Sequence, residues 1–364
     1  MHAVKSASLA VVMLAVLGAT SGSLVTQAFA KTLCVNPGGT SGCFAKINDA
    51  VAAAAVNDTI QVAAGTYKED VVIGKSLSLV GAGAARTVIN AKGLANGVYV
   101  DGLDHPGLTN VVVAGFTVSN ANFEGILVTN ASHATIASNR VVSNDQSLDP
   151  TTPACPGIPS FETAEAFDCG EGVHLSGVHH STVAGNVVLN NSGGILISDD
   201  TGPTHHNLIR RNVVMNNPFD CGITLASHPP ASNPATGKPK GVFNNTIADN
   251  VSMKNGLAEA GAGAGVGIFD SVPGAASYGN VVVGDTLTGN GLPGVAMHSH
   301  APNQNLNDNV VTGNTISGNG ADTDDTATPG PTGINVSNGF GGASVSGIVI
   351  SQNVITNEDR KSVV

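Results

Sequence analysis

Carboxylates and imidazoles are the side chains that move protons and bind metal ions near neutral pH. Six of them sit at matching places in this sequence: Asp199, Asp200, His228, Asp270, His298 and His300. A carboxylate beside an imidazole orients the ring and raises its proton affinity, so such a set can serve as general base and general acid. His298 and His300 are two residues apart and face the same way on an extended strand, so they read as a chelating pair with Asp270 as a further metal ligand. Asp199, Asp200 and Asp270 would instead suit a hard cation such as calcium. Glu171, His174, His205, His206 and Arg210 are the candidate binding residues around this strip, with His205 and His206 in a loop after Asp199 and Asp200 that is expected to fold over them. The competing reading is that each is a turn residue capping backbone groups.

What brings the six together is a repeat. Units of the form N-x-V/I-x-x-N recur at Asn139, Asn186, Asn212 and Asn314, with Ser in the V/I place in the Asn250 copy, Asp285 in the first Asn's role and a frayed copy at Asn353. Gly-led strands alternate with these units: Gly125-Ile-Leu-Val128, Gly172-Val-His-Leu175, Gly194-Ile-Leu-Ile197, Gly222-Ile-Thr-Leu225, Gly265-Val-Gly-Ile268, Gly294-Val-Ala-Met297 and Gly333-Ile-Asn-Val336. In each, the residue after Gly and the one two further on are apolar, which gives one buried face at period two. Strands this short bury that face only when coil stacks on coil at about 4.8 Å. The expected fold is therefore all-β, a single-stranded parallel β-helix. Asn suits the turns because it tolerates left-handed backbone and its amide can bond the Asn of the next coil.

A solenoid end needs a cover, and Phe44 to Val56 reads as a short amphipathic capping helix. Residues 31–66 are the cap and first coil, 67–357 the coils and 358–364 a tail. Lys5, the apolar run from Leu9 to about Leu17 and Ala28-Phe29-Ala30 have the pattern of a signal peptide spanning 1–30, cleaved after Ala30. Secretion or a periplasmic location follows, with no membrane anchor after cleavage. Two local disulfides, Cys34–Cys43 and Cys155–Cys169, fit an oxidising compartment and leave Cys221 as a buried strand residue. Lys and Arg number 15 against 26 acidic residues, so the acidic surface disfavours nucleic acid as a partner. Trp is absent and Tyr occurs three times, so stacking platforms for sugar rings are few.

Ile47-Asn-Asp-Ala-Val51, Asp58-Thr-Ile60-Gln-Val62, Gly65-Thr-Tyr67-Lys-Glu69, Val71-Val-Ile73 and Leu77-Ser-Leu-Val-Gly81, followed by the repeats, resemble the pectin-lyase-like superfamily and its NosD-like right-handed β-helix members. The resemblance covers nearly all of the mature chain. It implies right-handed winding, and it implies that the Gly-led strands and their flanking loops form an active groove. The long insertions, Gln146 to Asp168, Ser227 to Gly241, Ser271 to Tyr278 and Gly320 to Thr332, adjoin those strands. Of the polygalacturonase-like motifs only Asp199-Asp200 has a counterpart. The pectinesterase and alginate-epimerase signatures are missing, and few basic residues are available to handle uronates. The expectation is an exported carbohydrate-active protein acting on a polysaccharide or oligosaccharide by lyase, hydrolase or epimerase chemistry, with a divalent metal as its candidate cofactor. The alternative is a non-catalytic NosD-like accessory or metal-handling protein, or a surface interaction module.

Overall fold

The computed structural model describes residues 30–152, 155–163, 167, 169–229, 238–258, 263–324 and 327–363, with 360–363 described by backbone alone. The expected signal peptide lies outside the described residues, apart from Ala30.

Three long sheets of eleven, ten and ten strands run the length of the chain, and every pairing between their described strands is parallel. Each coil visits the sheets in turn. One coil comprises Val173–Ser176, Thr182–Ala184 and Val187–Leu189, and Ile195–Ser198 then returns to the first sheet. The Gly-led strands form this first sheet residue on residue: Val173 stands opposite Ile195, and Ile195 opposite Ile223. Their inward residues, among them Val173, Leu175, Ile195, Ile197, Ile223 and Leu225, have essentially no solvent exposure. Burying an aliphatic side chain of this size contributes about 1.5–3 kcal/mol. Coil after coil of such pairs gives one continuous core.

Asn ladders hold the corners. The Asn139 backbone N–H and Nδ2 both donate to Asn186 Oδ1, at 3.0 and 3.2 Å, and Asn186 repeats this towards Asn212 and Asn212 towards Asn250. A second ladder links Asn144, Asn191, Asn217, Asn255, Asn290 and Asn319. A third, Asn207, Asn245, Asn280 and Asn309, stands where the first sheet turns into the second.

The capping helix is Ile47–Ala53, shorter than the expected Phe44 to Val56 because Ala54 is already extended. The Glu69 carboxylate accepts the Ile47 and Asn48 N–H groups at its start, at 2.7 and 2.9 Å. Ahead of this helix, Thr32–Val35 pairs with Thr59–Val62, so the first strand precedes the cap. At the other end Arg360–Val363 adds a final strand to the first sheet beside Thr332–Asn338, within what reads from sequence as a tail. No helix among the described residues is long and apolar enough to cross a membrane.

Candidate functional site

The outward residues of the first sheet form two columns. One runs Leu127, His174, Leu196, Thr224, Gly267, Ala296 and Asn335. The other runs Thr129, Ser176, Ser198, Ala226, Phe269, His298 and Ser337. An outward column normally meets water, yet Leu127, His174 and Leu196 are buried here. Described residues of the insertion around 146–168 lie against this face. Its Phe161 stacks on Tyr99, Phe167 stacks on Phe219, and the Cys155–Cys169 disulfide ties its ends.

Beneath that segment lies a buried acid–imidazole network. His228 Nδ1 is 2.6 Å from Asp200 Oδ1. The Ser198 hydroxyl donates to Asp200 Oδ2 at 2.5 Å and lies 2.7 Å from His174 Nε2. On its other side His174 Nδ1 is 3.7 Å from both Glu124 Oε1 and Glu162 Oε2. Burial drives the Glu162 carboxyl up to about 8, against the pull of His174, while Glu124 adds to the rise. Burial would raise Asp200 too, but His228 and His174 overcome it and hold Asp200 below the ordinary carboxylate range. Desolvation would lower His174, and the nearby carboxylates of Asp200, Glu124 and Glu162 instead keep it well above the usual imidazole range. Burial thus pushes Glu162 towards its protonated form while the imidazoles hold Asp200 towards its ionised form, the division of labour that acid–base catalysis needs.

A second cluster lies further along the sheet, where the loop after Gly320 meets it. His300 Nε2 is 3.0 Å from His298 Nδ1, His298 Nε2 is 3.3 Å from Asp322 Oδ2, and His300 Nε2 is 3.3 Å from Asp324 Oδ2. Phe269 stacks against His300, and Asn335 Nδ2 donates to Asp322 at 2.7 Å.

The six residues expected to line one strip are therefore divided. Asp200 and His228 join one network, and His298 and His300 join the other. Asp199 and Asp270 belong to neither: Asp270 has the inward parity of the strand Val266–Asp270, and Asp199 lies just past the end of Ile195–Ser198. Asp199 caps a corner, accepting the His228 N–H at 2.8 Å, the Ser227 hydroxyl at 3.0 Å and the N–H groups of Lys240 and Gly241. Asp270 accepts the Ser277 hydroxyl at 2.6 Å and the Ser227 N–H at 3.2 Å, and burial pushes its carboxyl well above the ordinary range. The calcium set of Asp199, Asp200 and Asp270 is not assembled. In the expected metal set of His298, His300 and Asp270, the third position falls to Asp324.

His205 and His206 do not fold over Asp199 and Asp200; they stack on His179 and His180 at the next corner. Arg210 is an exposed residue of the second sheet, on a different face of the coil. Glu171 is buried just before the strand Val173–Ser176, close to Gly193. Cys34–Cys43 and Cys155–Cys169 are the disulfides, and Cys221 is a buried free thiol that burial holds well above its ordinary pKa. Glu124, Glu162, Asp322 and Asp324 were not among the expected site residues. The pair Glu124-Gly125, repeated one coil on as Glu171-Gly172, is a signal that could have found Glu124. The three loop acids carry no periodicity.

The family model described as "Right handed beta helix region" matches residues 84–271, more than half of the chain. The chain belongs to this right-handed β-helix family. No curated protein matches this β-helix in sequence. Among solved structures it is similar to an alginate lyase from Paenibacillus sp. str. FPU-7, with TM-score 0.51, 13% identity, and 90% of this chain and 98% of that one covered. Pectate lyase Pel9A gives TM-score 0.50 and 17% identity over 89% of this chain and 79% of its own. The Dettilon tailspike protein gives TM-score 0.50 and 14% identity over 89% and 68%. At these identities the likeness establishes the pectin-lyase-like β-helix fold.

Proposed function

We infer that this β-helix is an exported enzyme that cleaves a polysaccharide by acid–base chemistry in the buried network of the first sheet. The observation that carries the reading is the buried chain of contacts from Glu162 through His174 and Ser198 to Asp200 and His228, in which burial raises Glu162 and the imidazoles hold Asp200 low. Glu162 donates its proton to the glycosidic oxygen as the bond breaks. Asp200 fixes the His228 ring through Nδ1, and His228 in its neutral form takes the balancing proton through Nε2, from a water in hydrolysis or from the sugar ring in elimination. The solved structures named above include an alginate lyase and a pectate lyase, which supports a polysaccharide as substrate class. The two disulfides support export.

The test is turnover on a panel of acidic and neutral polysaccharides, with Glu162→Gln alongside the parent chain. Unsaturated, ultraviolet-absorbing products indicate elimination, and new reducing ends without them indicate hydrolysis. A parent chain inert on the whole panel, or a Glu162→Gln protein as active as the parent, rules the reading out.

One observation favours a second reading, a non-catalytic NosD-like metal-handling protein. Glu124, Glu162 and His174 offer ligand atoms within 4.8 Å of one another, and so do His298, His300 and Asp324. The 3.7 Å gaps from His174 Nδ1 to the two carboxylates are too long for hydrogen bonds and fit donors around a shared ion. Stoichiometric zinc or copper in the purified protein, without turnover, selects this reading.

A further inference from the structure

Five imidazoles crowd one outer corner of the solenoid, where the first sheet turns towards the second. His179 stacks on His205 with ring centroids 5.1 Å apart, His180 on His206 at 5.0 Å, and His133 on His180 at 5.6 Å. Within each sequence-adjacent pair the rings meet edge to face. His179 Nδ1 lies 3.0 Å from His180 Nδ1, and His205 Nδ1 lies 2.8 Å from His206 Nδ1.

The turn itself does not require histidine. His133, His180 and His206 occupy left-handed positions, with φ of 54°, 53° and 56°. In neighbouring coils the same corner is filled by Asn110, Asn244 and Gly279, the residue types that adopt this geometry most readily. The spacing does suit a metal. Two imidazole nitrogens at right angles around an ion about 2.0–2.1 Å away stand about 2.9 Å apart. Pairs one coil apart, about 4.8 Å, cannot share one ion at bonding distance, so each pair makes its own site.

We propose that His179 with His180, and His205 with His206, form two adjacent bidentate sites for a divalent transition-metal ion such as copper, nickel or zinc. Without metal, one ring of each pair donates its Nδ1–H to the other. On binding, both Nδ1 lone pairs go to the ion, water fills its remaining positions, and the shared proton moves to Nε2 of the donating ring, leaving both rings neutral. The inference is independent of both readings of the groove, since no residue of the groove clusters takes part.

The test is copper(II) titration of the full chain, followed by electron paramagnetic resonance and equilibrium dialysis. The parent is compared with His180→Asn/His206→Asn, whose new residues match Asn110 and Asn244 in the same column. The parent should give nitrogen-coordinated copper, and the variant should lose those ions while keeping its circular dichroism. His298→Ala/His300→Ala should retain them. Should the Asn variant fail to fold, His179→Ser/His205→Phe, which copies Ser132 and Phe243 of the flanking coils, reads the same loss. Unchanged copper binding in the folded corner variant, loss only in the His298/His300 variant, or no nitrogen-coordinated copper in the parent overturns the proposal.

Discussion

His228 and Asp200 come from successive coils and meet with Nδ1 2.6 Å from Oδ1, both side chains fully buried. Twenty-eight residues separate them in sequence, and stacking alone puts them side by side. Removing one partner leaves the other charge or polar group buried without compensation, at a cost of roughly 3–5 kcal/mol. Asp200→Asn and His228→Ala should each lower the melting temperature clearly. The double variant should lose less than the sum of the two, as a thermal double-mutant cycle would show. Additive losses would mean that the two side chains do not support one another.

Glu162 makes stability depend on pH with a definite sign. Its folded pKa is raised to about 8 from an ordinary 4.5, so its contribution is fully present below about 4.5 and is lost as pH rises through about 8. Denaturant melts between those limits should show this slope in the parent and a weaker slope in Glu162→Gln. Asp200 works in the opposite direction. Its folded pKa is depressed, so its contribution is present above its unfolded value and falls away only in acid.

Asp285 stands in a ladder position that Asn occupies in neighbouring coils. It accepts two bonds from Asn250, at 2.7 and 2.9 Å, but it cannot donate as Asn250 does to Ile209 O or Asn314 to Val282 O. Burial pushes its carboxyl up to about 7. Asp285→Asn should restore donation and remove a buried charge, stabilising the fold at pH 8 by on the order of 1–3 kcal/mol. Because a protonated Asp285 carries no charge, the gain should shrink as pH falls through about 7 and be smallest near pH 4. Calorimetry at the two pH values checks both points.

The Cys155–Cys169 disulfide closes the segment that carries Glu162, and a loop of this size contributes up to about 3 kcal/mol of chain-entropy stabilisation. Cys155→Ser/Cys169→Ser should increase hydrogen exchange across 155–170 while the strands Val173–Ser176 and Ile195–Ser198 stay protected. Loss of protection in the strands as well would show that the segment is needed to hold the sheet.

The fold was legible because its causes are local and repeated. Apolar pairs at period two and Asn at fixed turn positions mark every coil, and they gave the Gly-led sheet and two of the three Asn ladders. The site was legible only by column. Asp199 and Asp200 are neighbours just past the end of the strand Ile195–Ser198, yet one enters a corner cap and the other the network. Asp270 is kept from the histidine pair by its inward parity on Val266–Asp270. Glu162, Asp322 and Asp324 arrive on insertions whose path is set by tertiary contacts, such as Phe161 on Tyr99, that no repeat encodes. His205 and His206 were placed over the acids because a loop was expected there, whereas the backbone pairs at that point and carries the rings to the corner.

The central claim is that Glu162 and the Asp200–His228 pair cleave a polysaccharide as acid and base. The most direct measurement is the pH profile of kcat/KM on whichever polysaccharide of the panel is turned over, for the parent and for Glu162→Gln. The account expects the parent's rate to fall on the alkaline side near pH 8, as Glu162 loses its proton, and expects Glu162→Gln to lose activity while remaining folded. A Glu162→Gln protein that keeps the parent's rate and its alkaline limb would contradict it.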